Sequence, residues 1–99
     1  MDDEIAAWRE AAEDLGIEIE APYQVTLSDG SSFVAIAFVK GIGARLGMIV
    51  HTDWKVIAPH ADQLIADGFG FSAMEMGPYH RHGTMKILRD WGWRRGRRR

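Results

Sequence analysis

The stretch Phe33–Lys40, FVAIAFVK, constrains the fold more than any other part of the chain. At the two-residue period of a strand, Phe33, Ala35, Ala37 and Val39 fall on one side, and Val34, Ile36 and Phe38 on the other. A strand that is apolar on both sides must be covered on both sides, which places it centrally in a layered fold. Leu46–His51, LGMIVH, repeats this character. The longest apolar run, Phe33–Val39, is far shorter than the ~20 residues needed to cross a bilayer.

The flanking segments are the partners such a sheet requires. In the first helix Asp2 or Asp3 is placed to cap, Ile5, Trp8, Ala12 and Leu15 share a face, and Gly16 ends the helix with Ile17 folding back. Tyr23, Val25 and Leu27 alternate with polar residues, and Ser28-Asp29-Gly30-Ser31 then makes a hairpin turn. Asp53 caps a turn through Trp54–Ile57, and Pro59 opens a helix that runs to Gly68. Phe69–Met76 is a fourth strand. Thr84 caps a last helix, which turns Ile87, Leu88 and Trp91 inward and stops at Gly92.

The order α-β-β-β-α-β-α predicts an α+β domain over residues 1–93, with a mainly antiparallel four-stranded sheet, three short helices and a basic tail at 94–99. Met48–Met76 has the length of one β-α-β crossover. Three small helices are too few to cover both faces of so apolar a sheet, which predicts homodimerisation through the remainder.

Charge is divided along the chain. Up to Glu20 there are eight carboxylates (Asp2, Asp3, Glu4, Glu10, Glu13, Asp14, Glu18 and Glu20) against Arg9 alone. The end, Trp93–Arg99, carries Arg94, Arg95, Arg97, Arg98 and Arg99. The net charge is −2; without those five arginines, 7 basic residues face 14 acidic ones, a body of −7. The acidic N-terminus lacks a basic n-region and an apolar h-region, which predicts a cytoplasmic protein. With no cysteine there is no disulfide framework, thiolate metal site or cysteine nucleophile.

Each chemical motif has a simpler structural reading. Gly41, Gly43 and Gly47 are the residue type that cradles phosphate, but a strand follows them where a phosphate site needs a helix N-terminus. They read as a connection between strands, with Arg45 at its tip. His80 and His82 lie two apart and would project to one side of an extended segment, half of a metal site that His51 and His60 would have to complete. Turn histidines explain the same residues, so no cofactor or metal is expected. No serine occupies a GxSxG elbow, and Ser28–Ser32 build a turn, so the expectation is a protein that is not an enzyme.

Two binding functions remain. An acidic body suits a protein partner with a basic surface, with Glu10, Glu13 and Asp14 on the first helix as the contact face. In size and charge alone the chain is similar to immunity proteins and nuclease inhibitors, a likeness that assigns no site. The alternative is nucleic-acid binding by Trp93, Arg94, Arg95, Arg97, Arg98 and Arg99, the arginines neutralising phosphates and the indole stacking on a base. Against it, a body of −7 repels the phosphates that the tail attracts.

Overall fold

The computed structural model describes residues 2–73, 86 and 88–90. Helix α1 (Asp2–Leu15) is followed by strands β1 (Ile19–Glu20), β2 (Tyr23–Thr26), β3 (Ser32–Ala35), β4 (Ala37–Lys40) and β5 (Gly47–His51). Helix α2 (Trp54–Ile57), a 3-10 turn (Ala58–His60), helix α3 (Ala61–Asp67) and strand β6 (Phe69–Ala73) complete the α+β fold. Residues 86 and 88–90 are helical. The main sheet has the order β1-β4-β5-β6, and β2-β3 form a separate pair.

β1–β4 and β4–β5 are antiparallel, whereas β5–β6 is parallel, joined by the α2–α3 crossover. The main sheet is therefore mixed, with antiparallel pairs in the majority. β1 pairs only Ile19 with Val39 and Glu20 with Phe38, too short a strand for an alternation pattern to mark it.

Phe33–Lys40 is not one strand. The backbone bends at Ile36, where β3 leaves the hairpin and β4 enters the main sheet. The Ile36 N–H donates to the Val50 carbonyl at 2.9 Å, tying the corner to β5. Ala35 and Ala37 flank it, and all three residues are completely buried. Small side chains on either side of Ile36 leave room for the bend. The two apolar faces therefore serve two layers: Ala35 enters one cluster, Ile36 and Ala37 the other.

The first cluster joins Trp8, Ala21, Ile36, Ala37, Val39, Val50 and Leu88 beneath α1. The second joins Val25, Leu27, Ala35, Ile49, Ile57 and Leu64, with Tyr23, Phe33, Phe38, Phe69 and Phe71 around it. Neighbours Ile49 and Val50 on β5 point into opposite clusters, as strand geometry requires. The face that the helices alone were expected to leave bare is thus packed by the β2–β3 hairpin as well as by α2 and α3.

Asp2 and Asp3 lie inside the first turn of α1, toward the positive end of its dipole, instead of capping it. The helix buries a broader stripe than Trp8 and Ala12 alone, with Ala7 and Ala11 beside them. It ends with Ile17 N–H donating to Ala12 O (3.0 Å) and Gly16 N–H to Glu13 O (3.3 Å), a Schellman exchange. Ile17 is thereby folded back against the first cluster. No helix among the described residues is long and apolar enough to cross a membrane.

Candidate protein-binding face

Because α1 buries Ala7, Trp8, Ala11 and Ala12, its opposite side is fixed outward. Glu10, Glu13 and Asp14 are all exposed, as are Asp2 and Asp3. At the helix's ~100° per residue these five carboxylates occupy an arc of about 120°. The arc contains exposed Ala6 but no basic residue; Arg9 sits at its margin. Glu10 stands three and four residues before Glu13 and Asp14, spacings at which like charges repel along a helix. Glu13 and Asp14 also lie in the last turn, which has no basic residue and where the dipole is negative. Glu10 and Glu13 are three residues apart, and Glu13 stands in the last turn, so neither the pair spacing nor the dipole favours their charge.

The face continues into a groove of about 530 Å³ that wraps around the β1 edge of the main sheet. Ala12, Ile17, Ile19 and Phe38 supply its apolar lining, while Glu13, Glu18, Glu20, Arg9 and Lys40 supply its charges. The Arg9 guanidinium donates from Nε to the Ala21 carbonyl at 2.7 Å, which pins the link after β1 against α1. Tyr23 lies near the same edge; burial and the Glu20 carboxylate push its hydroxyl pKa up. Composition points to the acidic face. It does not point to the groove, whose only trace in the sequence is Glu18-Ile19-Glu20, two carboxylates flanking one inward isoleucine.

The other motifs take structural roles. Gly41–Leu46 joins β4 to β5, closed by Gly41 N–H donating to Leu46 O at 2.9 Å, with no helix after it. Arg45 donates to the Asp67 carbonyl at 3.2 Å, at the carbonyl end of α3 where a cation is favoured. His51 is buried at 7% exposure. Its Nδ1 accepts from the Asp53 N–H at 2.9 Å, and the Asp53 carboxylate caps α2 through the Lys55 N–H. Burial pushes the His51 pKa down, partly offset by the Asp53 carboxylate and a hydrogen bond to the Val34 backbone.

His60 stacks on Phe33, with ring centroids 4.9 Å apart and 14° between planes. Among the described residues no three His, Asp or Glu side chains are grouped to hold a metal. His80 and His82 lie outside the described residues, as do Trp93, Arg94, Arg95, Arg97, Arg98 and Arg99.

Ser28 docks the hairpin tip on α3. Its hydroxyl donates to Asp67 at 2.6 Å, its N–H donates to the same carboxylate at 2.8 Å, and Gln63 donates to both partners at 2.8 Å. These bonds hold the Asp67 pKa below the usual carboxylate value, Ser28 contributing most. Asp29 is held low likewise by the hydroxyl and N–H of Ser31. The serines thus build and anchor the turn. Comparison with protein families, curated proteins and solved structures found no match.

Proposed function

We propose that this chain is a non-enzymatic, cytoplasmic protein-binding module, of the inhibitor or adaptor kind, whose acidic α1 face engages a partner with a basic surface. The observation that carries the reading is the exposed arc of Asp2, Asp3, Glu10, Glu13 and Asp14, which contains no cation and extends into a last turn that has no basic residue. Such a face steers a basic partner and favours it over acidic ones.

The test is capture of partners from the native host with the wild-type chain and with E10K/E13K/D14K. The wild type should retain basic proteins that elute with salt, and the variant should lose them. Recovery of the same partners at the same yield would show that the face is not the site.

The run Arg94–Arg99 favours a second reading, binding of nucleic acid through the tail. An electrophoretic shift at low salt should then disappear when the five arginines are changed to glutamine. An equal shift, or none from either protein, removes this reading.

A further inference from the structure

We propose that the outer edge of β1 takes an extended segment of a partner protein as an added antiparallel strand, and that it selects the pattern basic-apolar-basic. The inference rests on the reading of this side of the domain as a site for basic ligands, and it names the mode of recognition.

β1 ends the main sheet, so among the described residues no strand pairs with its outer side. The hydrogen bonds of β4 decide which groups of β1 face outward. Gly41 N–H donates to Leu46 O in the same register that pairs Val39 with Met48. Val39 therefore bonds across to β5, and its neighbour Phe38 bonds to Glu20 of β1. That directs the N–H and C=O of Ile19 away from β4, and no backbone hydrogen bond among the described residues takes them. On either side the outward positions are partly used. Ile17 N–H donates to Ala12 O at 3.0 Å, and the Ala21 carbonyl accepts from Arg9 Nε at 2.7 Å. An added strand thus gains its main-chain hydrogen bonds at Ile19, and the segment recognised is short.

This register also sorts the side chains of the incoming strand. The residue opposite Ile19 points to the α1 side, where Ile17 and Ile19 pack on the first cluster and line the groove with Ala12. Its two neighbours point to the other side, opposite the exposed carboxylates of Glu18 and Glu20. Lys40 stands opposite Glu18 one strand further in, so a carboxylate separates it from the incoming strand. Opposite charges directly across a strand pair attract, and like charges repel. A second copy of β1 would set Glu18 against Glu20 of its twin, so the edge rejects itself and accepts a cationic strand.

The experiment titrates the full-length chain, labelled with nitrogen-15, with three probe peptides and follows its amide shifts. The peptides are GSRVRSG, the same peptide N-methylated at valine, and GSRRVSG, which keeps the composition and breaks the alternation. GSRVRSG should shift amides centred on residues 17–21 and bind about tenfold or more tightly than the other two. E18K/E20K should weaken it about tenfold or more, whereas D3K/E10K, an equal charge change on α1 outside the groove, should cost less than about threefold. Circular dichroism checks that both variants are folded, and the peptide series tests the same point without altering the chain. Equal affinity for the three peptides would overturn strand addition and leave the acidic surface as a site for basic partners. A loss with D3K/E10K as large as with E18K/E20K overturns the location. No binding of any peptide overturns the inference, while the capture experiment with E10K/E13K/D14K still decides on the α1 face.

Discussion

Gly47→Ala is the substitution whose cost can be worked most directly from the structure. Gly47 begins β5 opposite Lys40 and has φ +143°. A methyl group there would lie 2.7 Å from Phe38 Cε1 and 2.9 Å from Lys40 Cα, and closer still to the Val39 carbonyl oxygen. Backbone strain of this kind costs about 1–3 kcal/mol. The Val39 and Lys40 backbone cannot give way without separating β4 from β5, and each ladder hydrogen bond lost adds about 1 kcal/mol. Phe38 must move too, although its ring is stacked on Tyr23 at 4.7 Å and meets Phe69 edge-on at 5.7 Å.

The sum is about 3–5 kcal/mol, a large part of a small domain's 5–15 kcal/mol. Gly30→Ala is the control: φ is +89°, but nothing lies within 4 Å of the added methyl. Strain alone leaves a loss of about 1–2 kcal/mol. Urea unfolding followed by circular dichroism, with the slope m unchanged, measures both. Equal losses at the two positions would refute the close approach of β4 to Gly47 and the register that produces it.

Leu88→Ala removes a fully buried side chain from the first cluster and should cost about 2–5 kcal/mol by the same measurement. Ser28→Ala and Asp67→Asn should each loosen the hairpin tip, and the double variant should lose little more than either alone, read as amide exchange in β2. His51 has its folded pKa depressed, so its contribution is complete above 6.5 and is lost as pH falls through the lower folded value. Asp29 and Asp67, also depressed, add a second loss as pH falls below 3.8. Urea midpoints should therefore decline in two steps from pH 7 toward acid, and a midpoint that rises between pH 7 and 5.5 contradicts the burial of His51. With both faces of the main sheet covered, light scattering at micromolar concentration should give a species of 11.1 kDa. A dimer would require a surface other than a bare sheet face.

Local chemistry was the most legible part of the chain. The C-terminal ends of α1 and α3 at Gly16 and Gly68, the Asp53 cap, the hairpin turn and the glycine connection all follow from residues acting within a few positions of each other, whereas Pro59 opens a 3-10 turn and α3 begins only at Ala61. What escaped was non-local. Apolar residues on both sides of Phe33–Lys40 signal cover on both sides, but they do not distinguish a straight central strand from one that changes layers at Ile36. Glu20 pairs with Phe38 in a strand of two residues, and two residues carry no periodicity. The acidic face was readable because Glu10, Glu13 and Asp14 share one helix. The groove was not, because Arg9, Ile17 and Phe38 meet only after β1 has joined β4.

The pairing of β1 with β4 also brackets the hairpin. The chain leaves the main sheet after Glu20 and returns at Ala37, so its four-stranded ladder is complete without β2 and β3. The hairpin is thus an excursion that can be released as a unit, held by the Ser28–Asp67 contact at its tip and by Val25, Leu27 and Ala35 along its inner side. Its release would uncover the second cluster while α1, the first cluster and the acidic face kept their arrangement. Opening of this kind would give the domain two foldons of unequal permanence. The surface proposed for binding belongs to the one that does not depend on the hairpin.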